Sequence, residues 1–262
     1  MVRYLSDKLK LYIIRRRSTF SGEIMRKNSI KNRIYNYGRD KYYFNIREIR
    51  KHLNQHNIEY TDENVKKTLY RMHMDQLIFD AGKGWYSSIK EKYDLNKRPV
   101  EKYVNAIAKD LPFLEFSCWS TEQLKSFFHH LPSQFILFIF SDREFLSALK
   151  DHLETIEFDV FLNPSKAEVE KYVHFRGPSV ILRPSITSRE PKEGHFARIE
   201  KIIVDLYMES KKINLLDDEE YRRIVKNILH NFRIDLADML EYAERRGIKS
   251  KIANFVRDCQ IK

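Results

Sequence analysis

Thr61-Asp-Glu-Asn-Val65-Lys-Lys-Thr-Leu69-Tyr-Arg-Met72-His-Met74 is followed by Leu77-Ile-Phe-Asp80, Ala81-Gly-Lys-Gly84 and Trp85-Tyr-Ser-Ser-Ile89. This stretch decides how the first third of the chain folds. Thr61 is a good N-cap, and Val65, Leu69 and Met72 recur at i, i+4, i+7, the spacing of one helical face. At 100° per residue the opposite face carries Lys67, Tyr70, Arg71 and Met74. The short apolar run 77–80, the glycine-bearing turn 81–84 and the β-prone run 85–89 read as a hairpin. Upstream, Ile46, Ile49 and Leu53 share a helical face and leave Arg47, Arg50 and Lys51 toward solvent.

Helix, helix, then a two-stranded ribbon is the element order of a winged helix-turn-helix, whose second helix enters the DNA major groove. On that reading Lys67 and Arg71 face base edges, because both donate to guanine acceptors. Tyr70 contacts phosphate or packs on the duplex. Arg47, Lys51 and the wing-tip Lys83 are expected at phosphates, where they position without specifying. The earlier segment is less defined. Residues 24–37 are expected to supply the first helix, and Arg15-Arg16-Arg17 reads equally as a DNA-contacting arm or a solvated turn.

Charge agrees with this placement. The 262 residues hold 48 Lys+Arg and 37 Asp+Glu, a formal net charge of +11. Residues 1–98 account for 23 and 11 of these, and residues 99–262 for 25 and 26, so the excess sits wholly in the first third. Such asymmetry suits a nucleic-acid-binding module joined to a neutral domain, since a basic surface gains counterion-release free energy from any phosphate backbone. Residues 42% hydrophobic and 13% aromatic exclude wholesale disorder. The longest apolar run, Phe135 to Phe140, is far short of a membrane span. Met1 to Lys10 is charged and has no apolar signal core, and two cysteines, Cys118 and Cys259, make no disulfide scaffold. A cytoplasmic protein with no membrane partner is expected.

The polar stretch 90–98 ends at Pro99, a residue suited to a helix start. The boundary is therefore placed near 92–98, giving a DNA-binding domain over 1–95 and an α/β domain over 99–262. In the latter, Phe113 to Cys118, Phe135 to Phe140, Phe158 to Leu162 and Val180 to Leu182 read as strands. Thr121 to Leu131 reads as a helix, and Asp142 as the cap of another running to His152. Beyond Pro184 only helices are expected, on stripes led by Ile199-Ile202-Ile203-Leu206, Tyr221-Ile224-Val225-Ile228 and Leu236-Met239-Leu240. The fold class is thus α/β (α+β), with a helical bundle at the C-terminal end.

Phe161-Leu-Asn-Pro164, Val180-Ile-Leu-Arg-Pro184, Ala197-Arg-Ile-Glu-Lys-Ile-Ile-Val-Asp-Leu206, and Leu240-Glu-Tyr-Ala243 with Arg245-Arg246 together resemble the AbiEi-type antitoxins. These are the DNA-binding partners in abortive-infection (type IV) toxin–antitoxin systems. The resemblance covers most of residues 40–250. It implies a nucleotidyltransferase-like C-terminal fold, autorepression at an operator in double-stranded DNA, and a cognate nucleotidyltransferase-type toxin as partner.

Catalysis by the second domain is not expected. Metal-dependent nucleotidyl transfer needs a Gly-Ser or Gly-Gly turn and paired acids to hold the ion. Residues 99–262 contain no Gly-Ser pair and no Asp-x-Asp, and Asp159 reads as a surface or hydrogen-bonded group. Asp217-Asp-Glu-Glu220 suits a helix start. Glu48, His52 and His56 share a helix face yet lack an obvious further ligand, so no metal and no cofactor is expected. His129-His130 reads as one buried and one exposed, and Cys118 as core. Glu200, Lys201 and Asp205 flank an apolar stripe and are expected in local, solvent-facing ion pairs, with a contact surface for the toxin as the alternative reading. Two other readings stand beside the antitoxin: a stand-alone regulator with a ligand-sensing C-terminal domain, and a metal-dependent enzyme acting on nucleic acid or nucleotides.

Overall fold

The computed structural model describes residues 29–132, 134–155, 158–172 and 179–260. They divide into two compact units, one of residues 29–80 with 84–90, the other of 81–83 with 91–260.

The first unit begins with α1 (Ile30–Arg39), whose start is capped by the Ser29 hydroxyl accepting from the Asn32 N–H at 3.2 Å. Residues 24–28 of the expected first helix lie outside the described residues. Then come β1 (Tyr43–Asn45), α2 (Ile46–Gln55), α3 (Asp62–Met74), β2 (Phe79–Asp80) and β3 (Trp85–Ser87). Asn45 caps α2 by accepting from Glu48 N–H, and Thr61 caps α3 by accepting from Asn64 N–H. Asp62 and Glu63 then sit in the first turn and Arg71 and His73 in the last, matching the helix dipole at both ends. The strands form one antiparallel sheet in the order β1-β3-β2. β1 was not anticipated, because three residues give no readable alternation. Ile34, Phe44, Ile49, Leu53, Val65, Leu69, Met72 and Ile78 make the core. Gly38 is required there: a Cβ would stand 2.7 Å from Cε1 of the Phe44 ring.

The second unit starts with α4 (Arg98–Asp110), with Pro99 in its first turn. β4 (Phe116–Ser120) and β5 (Ile136–Ser141) follow as antiparallel neighbours. The expected helix from Thr121 to Leu131 is instead a 3₁₀ turn, Thr121–Phe127. Its start is pinned to the neighbouring strand, because Thr121 Oγ1 accepts the Ile136 N–H at 2.9 Å. Ser120 and Gln123 close a capping box around it. After β5, Asp142 makes no side-chain capping bond; a short 3₁₀ turn intervenes and α5 runs Leu146–Glu154. β6 (Asp159–Leu162), α6 (Lys166–Tyr172) and β7 (Ser179–Pro184) complete the parallel part.

Residues beyond Pro184 are not purely helical. β8 (Lys192–Glu193) and β9 (Phe196–Ala197) form a hairpin around Gly194, which has φ +59, and β9 pairs with β4. Two-residue strands carry no period that a sequence can display. Then come α7 (Ile199–Ile213), α8 (Asp218–Asn231), α9 (Leu236–Arg245) and α10 (Lys249–Asp258). The six strands lie in one mixed sheet, β6-β7-β5-β4-β9-β8. On one face α4 and α5 bury Val104, Ile107, Leu146, Leu149 and Leu153 against Cys118, Ile139, Val180 and Leu182. On the other, Trp119 stacks on Phe138 at 4.5 Å and Phe140 lies beneath α7.

Candidate nucleic-acid interface and a buried charge network

Burying Val65, Leu69 and Met72 fixes which side of α3 meets solvent. Lys67, Tyr70, Arg71 and Met74 are all exposed there, Tyr70 at 65% and Met74 at 63%. An aromatic and a thioether standing that far out are apolar surface without a covering element among the described residues of the unit. Lys67 is paired with Glu63 at 2.8 Å, one turn back. Exposed pairs of this kind contribute only about 0.3–0.5 kcal/mol, so the ammonium is readily given up to a phosphate. Arg47 and Lys51 are exposed on α2, while Arg50 is engaged with Asp62 at 3.0 Å. Lys83 is exposed on the β2–β3 turn, and the next residue, Gly84, accepts the Ile46 N–H at 3.1 Å.

The charge can now be divided more finely. Residues 29–90 hold 12 Lys+Arg and 7 Asp+Glu, whereas residues 1–28 hold 8 and 2. The latter stretch, including Arg15-Arg16-Arg17, lies outside the described residues.

The histidines of α2 have local roles. His56 Nδ1 lies 2.9 Å from the His52 carbonyl oxygen, and the His52 ring is sandwiched between His56 and Tyr37 at 4.3 and 4.6 Å. Burial, then the neighbouring His56, Arg33 and Lys41, hold the His52 pKa below its ordinary value. Glu48 is taken up by Asn45 and the Tyr37 hydroxyl. Among the described residues no group of three His, Cys, Asp or Glu is arranged to hold a metal ion. His129 and His130 are both exposed, edge to face at 4.2 Å, contrary to the expected one-in, one-out arrangement. The 3₁₀ turn ends before them, so helical periodicity does not apply. Asp159 is exposed on the edge strand β6, and Asp217 caps α8 by accepting from Glu220 N–H at 2.7 Å. Cys118 is fully buried, and burial pushes its thiol pKa up.

The largest departure from expectation concerns Glu200, Lys201 and Asp205, which are interior rather than solvent-facing. Lys201 Nζ contacts Asp205 Oδ2 at 2.7 Å, Glu190 Oε2 at 3.0 Å and the Tyr242 hydroxyl at 3.0 Å. It also sits 3.7 Å from the centroid of the Phe140 ring. Tyr242 donates to Asp205 Oδ1 at 2.9 Å, and Arg246 approaches the same oxygen at 3.5 Å. Burial alone would lower the Lys201 pKa, but Asp205, Tyr242 and Glu190 override it and push the value up. Two cations thus meet two carboxylates supplied by α7, α9 and the loop before β8. A second buried pair lies nearby. The Arg183 guanidinium is chelated by Glu209 and also donates to Asn163 Oδ1 at 3.1 Å and the Pro164 carbonyl at 2.8 Å. Glu200 Oε1 accepts the Asp235 N–H at 2.7 Å and pairs with Arg198 at 3.2 Å. Apart from the Lys201–Asp205 pair, i to i+4 on α7, the partners come from outside that helix, which is why one stripe on α7 could not announce them.

Comparison with protein families adds one finding. The model described as "Family of unknown function (DUF6577)" matches residues 64–262. The chain belongs to the DUF6577 family. The DUF6577 match begins inside α3, so it includes Lys67, Tyr70, Arg71 and Lys83, but neither Arg47 nor Lys51. It also includes every member of the buried charge network. A search of curated proteins gives no match. Among the described residues no helix is long and apolar enough to cross a membrane.

Proposed function

We propose that this DUF6577 protein is a cytoplasmic, DNA-binding, antitoxin-like regulator. On this reading residues 29–90 act as a winged helix-turn-helix, with α3 as the recognition helix and the β2–β3 hairpin as the wing. The observation that carries it is the outward face of α3, where Lys67, Tyr70 and Arg71 stand exposed, in a unit whose α2 also exposes the basic side chains Arg47 and Lys51. Lys67 and Arg71 then contact base edges or phosphates, and Tyr70 lies against the duplex.

The resemblance to AbiEi-type antitoxins extends the reading. The second unit neutralises a nucleotidyltransferase-type toxin, and the whole chain represses its own operon in an abortive-infection system. Its own fold is nucleotidyltransferase-like on that resemblance, without catalysis, because residues 99–262 lack the Gly-Ser turn and Asp-x-Asp pair such chemistry uses. A mobility-shift assay with the promoter of its own operon tests the DNA half. Co-expression with the adjacent gene product tests the toxin half, relief of growth arrest being the expected result.

A further inference from the structure

At the carboxyl ends of the parallel strands β5, β7 and β6 the chain leaves the sheet in different directions. The connection after β5 enters α5, whose Leu146, Leu149 and Leu153 pack on one sheet face. The connection after β6 enters α6, which packs against α7 on the other face, where Lys201 covers Phe140. Connections departing to opposite faces open a crevice at the strand ends, and open α/β sheets take ligands at such places. A cavity of about 370 Å³ lies here, lined by Arg143, Leu146, Ser147, Leu162, Asn163 and Pro184. That volume falls within the range of small-molecule sites.

The polar lining has one chemical character. Asn163 stands at φ 45, its N–H bonded to the Leu182 carbonyl at 2.8 Å. Its side-chain oxygen must be the atom facing Arg183, because a guanidinium only donates. Arg183 is itself held by the buried carboxylate of Glu209. What the Asn163 amide still offers is therefore its NH₂. Arg143 offers only donors, and the Ser147 hydroxyl supplies one more. Three donors thus come from two segments of chain, 143–147 and Asn163, while Leu146, Leu162 and Pro184 provide an apolar wall. A buried ion pair such as Arg183–Glu209 is weak evidence for added stability. Fixing Asn163 in the lining of this crevice gives it a purpose.

We propose that the crevice binds a small phosphorylated organic molecule. The phosphate monoester accepts from Arg143, Ser147 and Asn163, and the carbon skeleton lies on Leu146, Leu162 and Pro184. This goes beyond the DNA-binding reading and does not depend on it. The test is calorimetric titration of the full chain, without DNA, with AMP, adenosine, glucose 6-phosphate, glucose and inorganic phosphate. At least one of the two phosphate esters is expected to bind saturably, with its dephosphorylated counterpart and inorganic phosphate each at least tenfold weaker. Arg143→Ala, an exposed position, is expected to weaken the ester at least tenfold with an unchanged circular dichroism spectrum. Absence of binding by both esters up to about 10 mM overturns the proposal. So does equal affinity for the unphosphorylated compound or inorganic phosphate, or an Arg143→Ala variant that binds as the parent does.

Discussion

Replacing Lys201 by Met keeps most of the side chain's volume and removes its charge, and the consequence follows from what surrounds it. The ammonium is wholly buried and holds Asp205, Glu190 and the Tyr242 hydroxyl at 2.7–3.0 Å. Without it, two carboxylates remain in the interior with Arg246 alone to balance them. Breaking a buried ion pair by deleting one partner costs about 3–5 kcal/mol, because the survivor is left as an uncompensated charge. For a unit of this size each kcal/mol lowers Tm by about 2–4 °C, so the expected fall is roughly 6–20 °C. Thermal and urea denaturation monitored by circular dichroism read it directly. The double variant Lys201→Met with Asp205→Leu removes one charge of each sign, so Glu190 and Arg246 remain as one charge of each sign. It is expected to regain at least about 1 kcal/mol relative to Lys201→Met, since neighbours in one network do not add. A single variant within about 1 kcal/mol of the parent, or a double variant whose losses simply add, refutes the assignment of Lys201 as the centre of the network.

Two further outcomes concern the first unit. Gly38→Ala drives a methyl into the buried Phe44 ring and is expected to destabilise by about 1–3 kcal/mol in urea denaturation, despite alanine's better helix propensity. His52 is expected to titrate below 6.5 by NMR, because burial and its cationic neighbours disfavour the imidazolium. A folded pKa below the unfolded one means that the unfolded state binds more protons. The His52 contribution is therefore present above the unfolded pKa and is lost as pH falls through the folded value. His52→Gln should flatten that part of the acid limb, and a measured pKa at or above 6.5 contradicts the packing described.

The parts of this fold that a sequence displays are those with a period. The spacing of Val65, Leu69 and Met72 defines α3 and its outward face, and the continuous run Phe135 to Phe140 marks β5, a fully buried strand inside the sheet. The hairpin β8–β9 has two residues per strand and shows nothing. The 3₁₀ turn at Thr121–Phe127 imitates a helix because Leu124 and Phe127 stand at helical spacing. On α7 the apolar stripe is real, but the charges beside it are interior, since their partners Glu190, Tyr242 and Arg246 lie elsewhere in the chain. The crevice at the strand ends is likewise assembled from three separate loops. Its donors only become a set once Arg183 has claimed the Asn163 oxygen.

The central claim is that the outward face of α3 carries the contacts to DNA. It is tested most directly by the salt dependence of binding to the operon's own promoter, comparing the parent with Lys67→Ala combined with Arg71→Ala. Each phosphate contact contributes about 0.9 to the slope of log K against log salt concentration. Both substituted side chains are exposed, so the fold should be unaffected. If one or both contact phosphate, affinity falls and the slope declines by about 1–2. If both read bases instead, the slope holds and the preference for the promoter over unrelated DNA is lost. Unchanged affinity, slope and preference contradict the account.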